Sequence, residues 1–316
     1  MSDVHIHRAG NKGAYKEDST LINRVSEAFD RNIRFLFPLP ALIIALALFL
    51  YPLIELFYLS LTRWSLVTQE PRTFIGLGNF IQAFTRDEHF WKSVWLMLYF
   101  ALGALAGQFI LGFALALLLN REFRGESVVR MLMLFPIIAT PVAMSMVWVI
   151  MLNPMMGVMN YLLSVLGLPP SEWAAGSKAV MPTLIMVDVW HWTPFMMLVL
   201  LAGLKNLPKD PYEAAMIDGA SRLQVFFKIT LPLMQPYIVL VVILRLIHNL
   251  KVFDEIFVIS RGGPMRASET LNLMIYHQAF TAMNYGYACA LGLFLLLVIL
   301  AISLAVFRYR ERSWSY

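Results

Sequence analysis

Residues 204–237 read LKNLPKDPYEAAMIDGASRLQVFFKITLPLMQPY, a patterned polar stretch between two long apolar runs. Asp210 is placed to cap a helix, with Pro211 at its first position, where a missing N–H costs nothing, and Glu213 in its first turn. Gly219 suits the left-handed residue that ends such a helix. Ser221, with Gln224 three residues on, opens a second helix carrying Leu223, Phe226 and Phe227, and Pro232 and Pro236 are expected to break it. On the first helix Tyr212, Ala215 and Met216 fall at i, i+3 and i+4 and make one apolar face, while Ala214, Ala215 and Gly219 keep the surface low enough for another backbone to approach. Two readings stand: a loop helix lying on the membrane or on its own bundle, or a compact knob that docks on a partner.

Outward from this stretch the chain is lipid-like. Of its 316 residues 59% are apolar and 14% charged, against about 45–50% and about 25% in globular domains. So few charges cannot cover a water-facing surface of this size, which points to an integral membrane protein. Six stretches, near 35–61, 92–119, 128–152, 180–203, 237–260 and 286–308, are long and apolar enough for helices crossing a hydrocarbon layer of about 30 Å, so the expected fold is all-α with six transmembrane helices. Sixteen Lys and Arg fall in the N-terminal segment, alternate loops and the C-terminal tail, against seven in the other loops. By the positive-inside rule both termini are expected in the cytoplasm. The net charge of +5 therefore reads as topology and calls for no nucleic acid, since the basic residues form no tract. The single Cys289 excludes an internal disulfide and any multi-Cys metal site. No phosphate-binding G-x-x-x-x-G-K-[ST] loop, metalloprotease helix or nucleophile elbow occurs, so neither a catalytic nor a metal-binding residue is assigned. A nucleotide, if used, is bound by another chain.

Ionisable groups at bilayer depth normally face protein or a watery path. In the fifth stretch Arg245, His248, Asn249, Lys251 and Glu255 share an arc of roughly 160° on a helical wheel, with only Leu244 and Val252 among them between residues 244 and 255. That face reads either as a wall of a translocation cavity or as a helix interface in which Arg245 or Lys251 is neutralised by Glu255 or Asp254. In the fourth stretch Asp188 and His191 stand at i, i+3, with Trp190 and Trp192 interleaved and Pro194 nearby. A sugar needs hydroxyl partners and a flat aromatic face. Asp188, Trp190, His191 and Trp192, with Trp148 and Asn153 from the third stretch, make a candidate sugar site, against the plainer reading of interface tryptophans and a structural Asp–His bond.

Glu213-Ala214-Ala215, three residues, Gly219, nine residues, then Ile229-x-Leu231-Pro232 resembles the EAA-x3-G-x9-I-x-L-P loop of binding-protein-dependent ABC importer permeases at every defining position. The resemblance extends over about residues 35–310. Tyr51-Pro52, Phe74-Ile75-Gly76-Leu77-Gly78-Asn79-Phe80, Asn153-Pro154, Lys251-Val252-Phe253-Asp254 and Gly262-Gly263-Pro264 are similar to the carbohydrate-uptake branch of that family, of the maltose or glycerol-phosphate permease kind. It implies the type I ABC importer permease fold, with residues 92–308 as the conserved transmembrane domain and a coupling loop at 204–232. Residues 35–61 would be a first, separate span. Glu213, Ala214, Ala215, Asp218 and Gly219 would form the coupling helix that docks on a cytoplasmic ATPase.

The implied partners are a second, related permease subunit in a heterodimer, two ATPase subunits that hold the ATP and Mg, an extracytoplasmic solute-binding protein and a carbohydrate substrate, all at a bacterial inner membrane. This chain itself would bind no cofactor. Two alternatives remain: the same machine with an anionic cargo such as glycerol phosphate, for which Arg245, His248 and Lys251 are apt, or a proton-coupled secondary transporter relaying through Asp188, His191 and Glu255. The latter lacks the paired inverted halves of many such folds and leaves the loop motif unexplained. Residues 1–34 carry Leu21, Ile22, Val25 and Phe29 at helical spacing with Arg24 and Arg31 opposite, the pattern of an amphipathic helix on the inner membrane surface. Residues 309–316 are expected to form a cytoplasmic tail.

Overall fold

A computed structural model describes residues 33, 37–67, 71–121 and 123–313. The amphipathic segment expected in residues 1–34 lies outside the described residues, Ile33 excepted, as do the last three residues of the tail. The chain divides into two compact units, Met1–Leu56 and Phe57–Tyr316.

Among the described residues five helices are long and apolar enough to cross a membrane. They are α1 (Leu39–Ser60), α2 (Glu88–Leu119), α6 (Val180–Lys205), α8 (Arg222–Leu250) and α11 (Tyr285–Ser313). Shorter pieces lie between them: α3 (Glu126–Met133), α4 (Phe135–Ile138), α5 (Pro141–Met151), α7 (Asp210–Ile217), α9 (Asp254–Ile259) and α10 (Leu271–Tyr276). A two-residue hairpin pairs Thr62 with Phe74 and Arg63 with Thr73. Asn79 closes the same region, its Nδ2 donating to the Ser60 and Thr62 carbonyls at 2.8 Å each.

The third apolar stretch, expected as one helix over 128–152, is instead three. Ala139 and Thr140 are extended, the conformation a following proline demands, and Pro141 then occupies the first turn of α5 with Thr140 as its cap. A second correction concerns residues 222–260. Pro232 and Pro236 do not break the chain: a π-turn at Phe226–Thr230 precedes Pro232 and helix runs on to Leu250. The loop's second helix and the fifth apolar stretch are therefore one 29-residue rod. That rod stops ten residues earlier than expected. Lys251–Phe253 turn a corner, and Asn272 Nδ2 satisfies carbonyls freed there, donating to Leu250 O (2.9 Å) and Val252 O (3.4 Å).

The core forms where α2, α6 and α8 pack. Glycines let α2 approach α6 closely: a Cβ added at Gly107 would lie 2.6 Å from Val189 Cγ2, and one at Gly112 2.6 Å from Met196 Cγ. Such small-residue seams are how helices associate in lipid, where apolar burial supplies no drive. Phe113, Ala116, Met196, Met197, Leu200 and Val241 fill the half toward loop 204–232; Phe100, Ala104, Leu184 and Ile256 fill the other.

Candidate functional site

Loop 204–232 sits at the C-terminal end of α6. Helix α7 ends where Gly219 adopts φ +70°, and the amides of Asp218, Gly219 and Ala220 return to Ala214, Met216 and Ala215. The capping box expected at Ser221 is present, with Ser221 N donating to Gln224 Oε1 (2.8 Å) and Gln224 N to Ser221 Oγ (3.4 Å). Asp210 does not cap α7: it is the first helical residue, Lys209 precedes it, and no side chain bonds the free amides. The expected apolar face also divides. Ala215 is buried and Tyr212 donates its hydroxyl to Thr230 Oγ1 at 3.1 Å, tying α7 to the rod, whereas Met216 is 72% and its neighbour Ile217 87% exposed. Glu213, Ala214 and Asp218 are exposed beside them. The result is a knob with an apolar tip and an acidic flank. Behind it a cavity of about 490 Å³ is lined by Leu117, Asn120, Lys205, Lys209, Tyr212 and Glu213, among others.

A salt-linked tie holds α3 to this end. Glu126 bonds Lys205 Nζ at 3.0 Å and pairs with Arg130. The Lys205 hydrogen bond and charge, with Arg130, hold the Glu126 carboxyl below its usual range against the opposing effect of desolvation.

The intramembrane polar residues form a buried network across four helices. Arg245 lies at its centre: Nε donates to Gln108 Oε1 (3.0 Å), and Nη2 to Asn249 Oδ1 (2.7 Å) and Asp188 Oδ2 (3.5 Å). Gln108 Nε2 also donates to Asp188, and Asn249 Nδ2 to Ala101 O. One turn along α6, His191 Nδ1 meets Glu255 Oε1 at 2.7 Å. None of these side chains is more than 2% exposed. Arg245 thus pairs with Asp188, not with Glu255 or Asp254, and Asp188 and His191 bond to other helices instead of to each other. Nor do Lys251 and Glu255 extend the arc of α8, because the helix ends first. Lys251 is exposed, and Glu255 is buried on α9. Of the polar residues on that arc, His248 and Lys251 alone keep surface.

The aromatic group expected around Asp188 also separates. Trp192 faces α8, with Arg245 Cζ 4.4 Å above its ring and His248 at 4.5 Å. Trp190, 39% exposed, points elsewhere and makes an edge contact at 5.4 Å with the buried Trp148. It borders an apolar crevice of about 620 Å³ with Leu111, Pro136, Met186, Val189 and Pro194. Asn153 is exposed, and its Oδ1 accepts from the amides of Met155 and Met156, shaping a turn. Sequence reasoning missed Gln108, a buried amide at the heart of the network. Its signal was available: it is a lone glutamine in an apolar run. Among the described residues no cluster of three or more His, Cys, Asp or Glu could hold a metal ion.

The profile of a family described as binding-protein-dependent transport system inner membrane component matches residues 108–313. The trehalose/maltose transport system permease protein MalF of Thermococcus litoralis is 34% identical over 286 residues, 89% of this chain and 96% of that protein. The sulfoquinovosyl glycerol transport system permease protein SmoG of Agrobacterium fabrum is 32% identical over 88% of each chain. Among solved structures, a chain of a bacterial alginate ABC transporter, in complex with an alginate pentasaccharide-bound periplasmic protein, superposes with a TM-score of 0.77 at 27% identity, covering 92% of this chain and 98% of its own.

Proposed function

From the premise that this chain belongs to the binding-protein-dependent ABC transporter permeases, all-helical inner-membrane transport subunits that are not themselves enzymes, we propose that it translocates a sugar or sugar derivative. It pairs with a second, homologous permease and receives its cargo from an extracytoplasmic binding protein. Two copies of a separate ATPase, where ATP and Mg are held, drive it through loop 204–232. In this reading the apolar stretches 35–61, 92–119, 128–152, 180–203, 237–260 and 286–308 make six crossings of a bacterial inner membrane. Both termini and loop 204–232 face the cytoplasm, and the fold is that of type I importers. The proton-coupled alternative falls with the family assignment.

One observation carries the coupling role. An exposed apolar tip, Met216 and Ile217, flanked by Glu213 and Asp218, stands on a loop whose second helix is continuous with a 29-residue rod. Exposed apolar side chains rimmed by charge mark a contact surface, and a continuous helix transmits a push that a jointed loop would absorb. On the transport path this reading places Trp192, His248 and Lys251, which keep surface. Asp188, His191, Arg245, Asn249 and Glu255 stand behind them as support. Lys251 favours a second reading of the cargo, an anionic sugar derivative, in keeping with relatives named for sulfoquinovosyl glycerol and alginate.

Vesicles carrying both permeases and the ATPase, supplied with the binding protein, test the function. Uptake of radiolabelled neutral and acidic sugars is expected only with ATP, and is expected to disappear when any component is omitted. Uptake by this chain alone would refute the proposal.

A further inference from the structure

The corner at Lys251–Phe253 is held on both sides by one turn of α6. Asp188 grips Arg245 on α8, before the corner. His191, three residues on, grips Glu255 on α9, after it. Asn272 of α10 occupies carbonyls at the bend itself. A bare break in a helix would be free to flex, and nothing in the packing alone calls for a buried polar tie on each side of it. Buried ion pairs are also poor instruments of stability, since well-packed apolar residues often do as well. Their use is geometric: they fix one arrangement and penalise any other.

At the far end of the rod stands the exposed knob. Arg222–Leu250 spans about 44 Å at 1.5 Å per residue and reaches from the loop to the corner. Beyond the corner, Ile259 of α9 packs against the cluster of Met144, Trp148 and Leu152. The loop that follows is tightly bonded, with Ser268 Oγ 2.8 Å from Ser260 Oγ.

We infer that Asp188 and His191 are positioning residues that clamp the α8–α9 corner to α6, so that a displacement begun at loop 204–232 reaches α9 and the loop after it without loss in the bend. Neither residue contacts substrate. The inference rests on the coupling role proposed above and adds the element that carries the motion across the membrane.

The test uses the complete importer in vesicles and reads sugar moved per ATP hydrolysed. Replacing the tie by an apolar pair, His191→Leu with Glu255→Met, removes it without stranding a charge. This double variant is expected to assemble with the ATPase and hydrolyse ATP while sugar moved per ATP falls about tenfold or more, in the range of ordinary coupling effects. Glu255→Gln, which still accepts from His191, is expected to stay within about threefold of the parent protein. An apolar pair that moves as much sugar per ATP as the parent would overturn the inference.

Should the double variant not assemble, a distance decides. With spin-labelled residues at the exposed Lys228 and Met265 in the otherwise unaltered chain, their separation is expected to change by less than about 2 Å on ATP binding, as for a rigid element. A larger change with intact uptake overturns the clamp. Absence of ATP-driven uptake in the parent complex would count against the proposed function and leave the distance still measurable.

Discussion

Replacing Arg245 by methionine tests whether the intramembrane charges are a closed network. Methionine keeps much of the side-chain volume but removes three donated bonds, to Gln108, Asn249 and Asp188. Asn249 Oδ1 loses its donor, and Asp188, fully buried, loses its cationic partner while Gln108 still donates to it. Stranding one member of a buried pair costs about 3–5 kcal/mol, which in a chain of this size lowers Tm by roughly 5–8 °C. Adding Asp188→Leu removes the stranded charge, so the double variant should recover most of the loss and sit within about 1–2 kcal/mol of the parent. Tryptophan fluorescence of the purified protein in detergent, heated at one fixed scan rate because such unfolding is seldom reversible, measures all three proteins. A single variant within about 2 °C of the parent, or a double variant less stable than the single, would refute the reasoning.

Three further outcomes follow from the same geometry. Gly112→Val places side-chain atoms where Met196 Cγ stands 2.6 Å from the Cβ position, so the α2–α6 seam must open, at a cost of about 1–3 kcal/mol visible as a lower Tm. Glu126 has a depressed carboxyl pKa in the folded chain through Lys205 and Arg130, so its tie contributes above the unfolded carboxylate range and is lost as pH falls through the depressed value. The stability difference between the parent and Glu126→Gln should therefore exist at pH 7 and vanish in acid; a difference that grows in acid contradicts the assignment. Trp192→Ala is expected to raise KM for uptake more than it lowers the maximal rate, because it removes a proposed wall without touching the knob; the reverse split would move Trp192 off the path.

Much of the fold was legible because lipid leaves few choices. Long apolar runs had to be helices, and α2, α6 and α11 lie within a few residues of their expected bounds. Gly219 and the Ser221–Gln224 box were legible for a local reason: a left-handed residue and a cap are decided by neighbours a few positions away. What escaped depended on partners distant in sequence. The helical wheel grouped Lys251 and Glu255 with Arg245 because periodicity assumes an unbroken helix, and only Asn272, more than twenty residues on, explains why the helix can stop. Prolines misled in both directions. Pro232 and Pro236 are tolerated where a π-turn absorbs the misfit, whereas Pro141 begins a new helix because the chain before it is extended. The charged residues were legible as groups that avoid lipid, but the partner of each was not, since Gln108 and Asp188 lie eighty residues apart in sequence and bond in space.

The central claim, that loop 204–232 couples this permease to its ATPase, is tested most directly by Glu213→Lys. Glu213 is exposed and Lys is a good helix former, so the variant should insert and fold as the parent does while reversing the charge beside Met216 and Ile217. The account predicts that ATPase bound per permease falls and that ATP-driven uptake falls by about tenfold or more, the effect of losing one charged contact of about 1.4 kcal/mol or greater. Stoichiometric ATPase binding with unchanged uptake would contradict it.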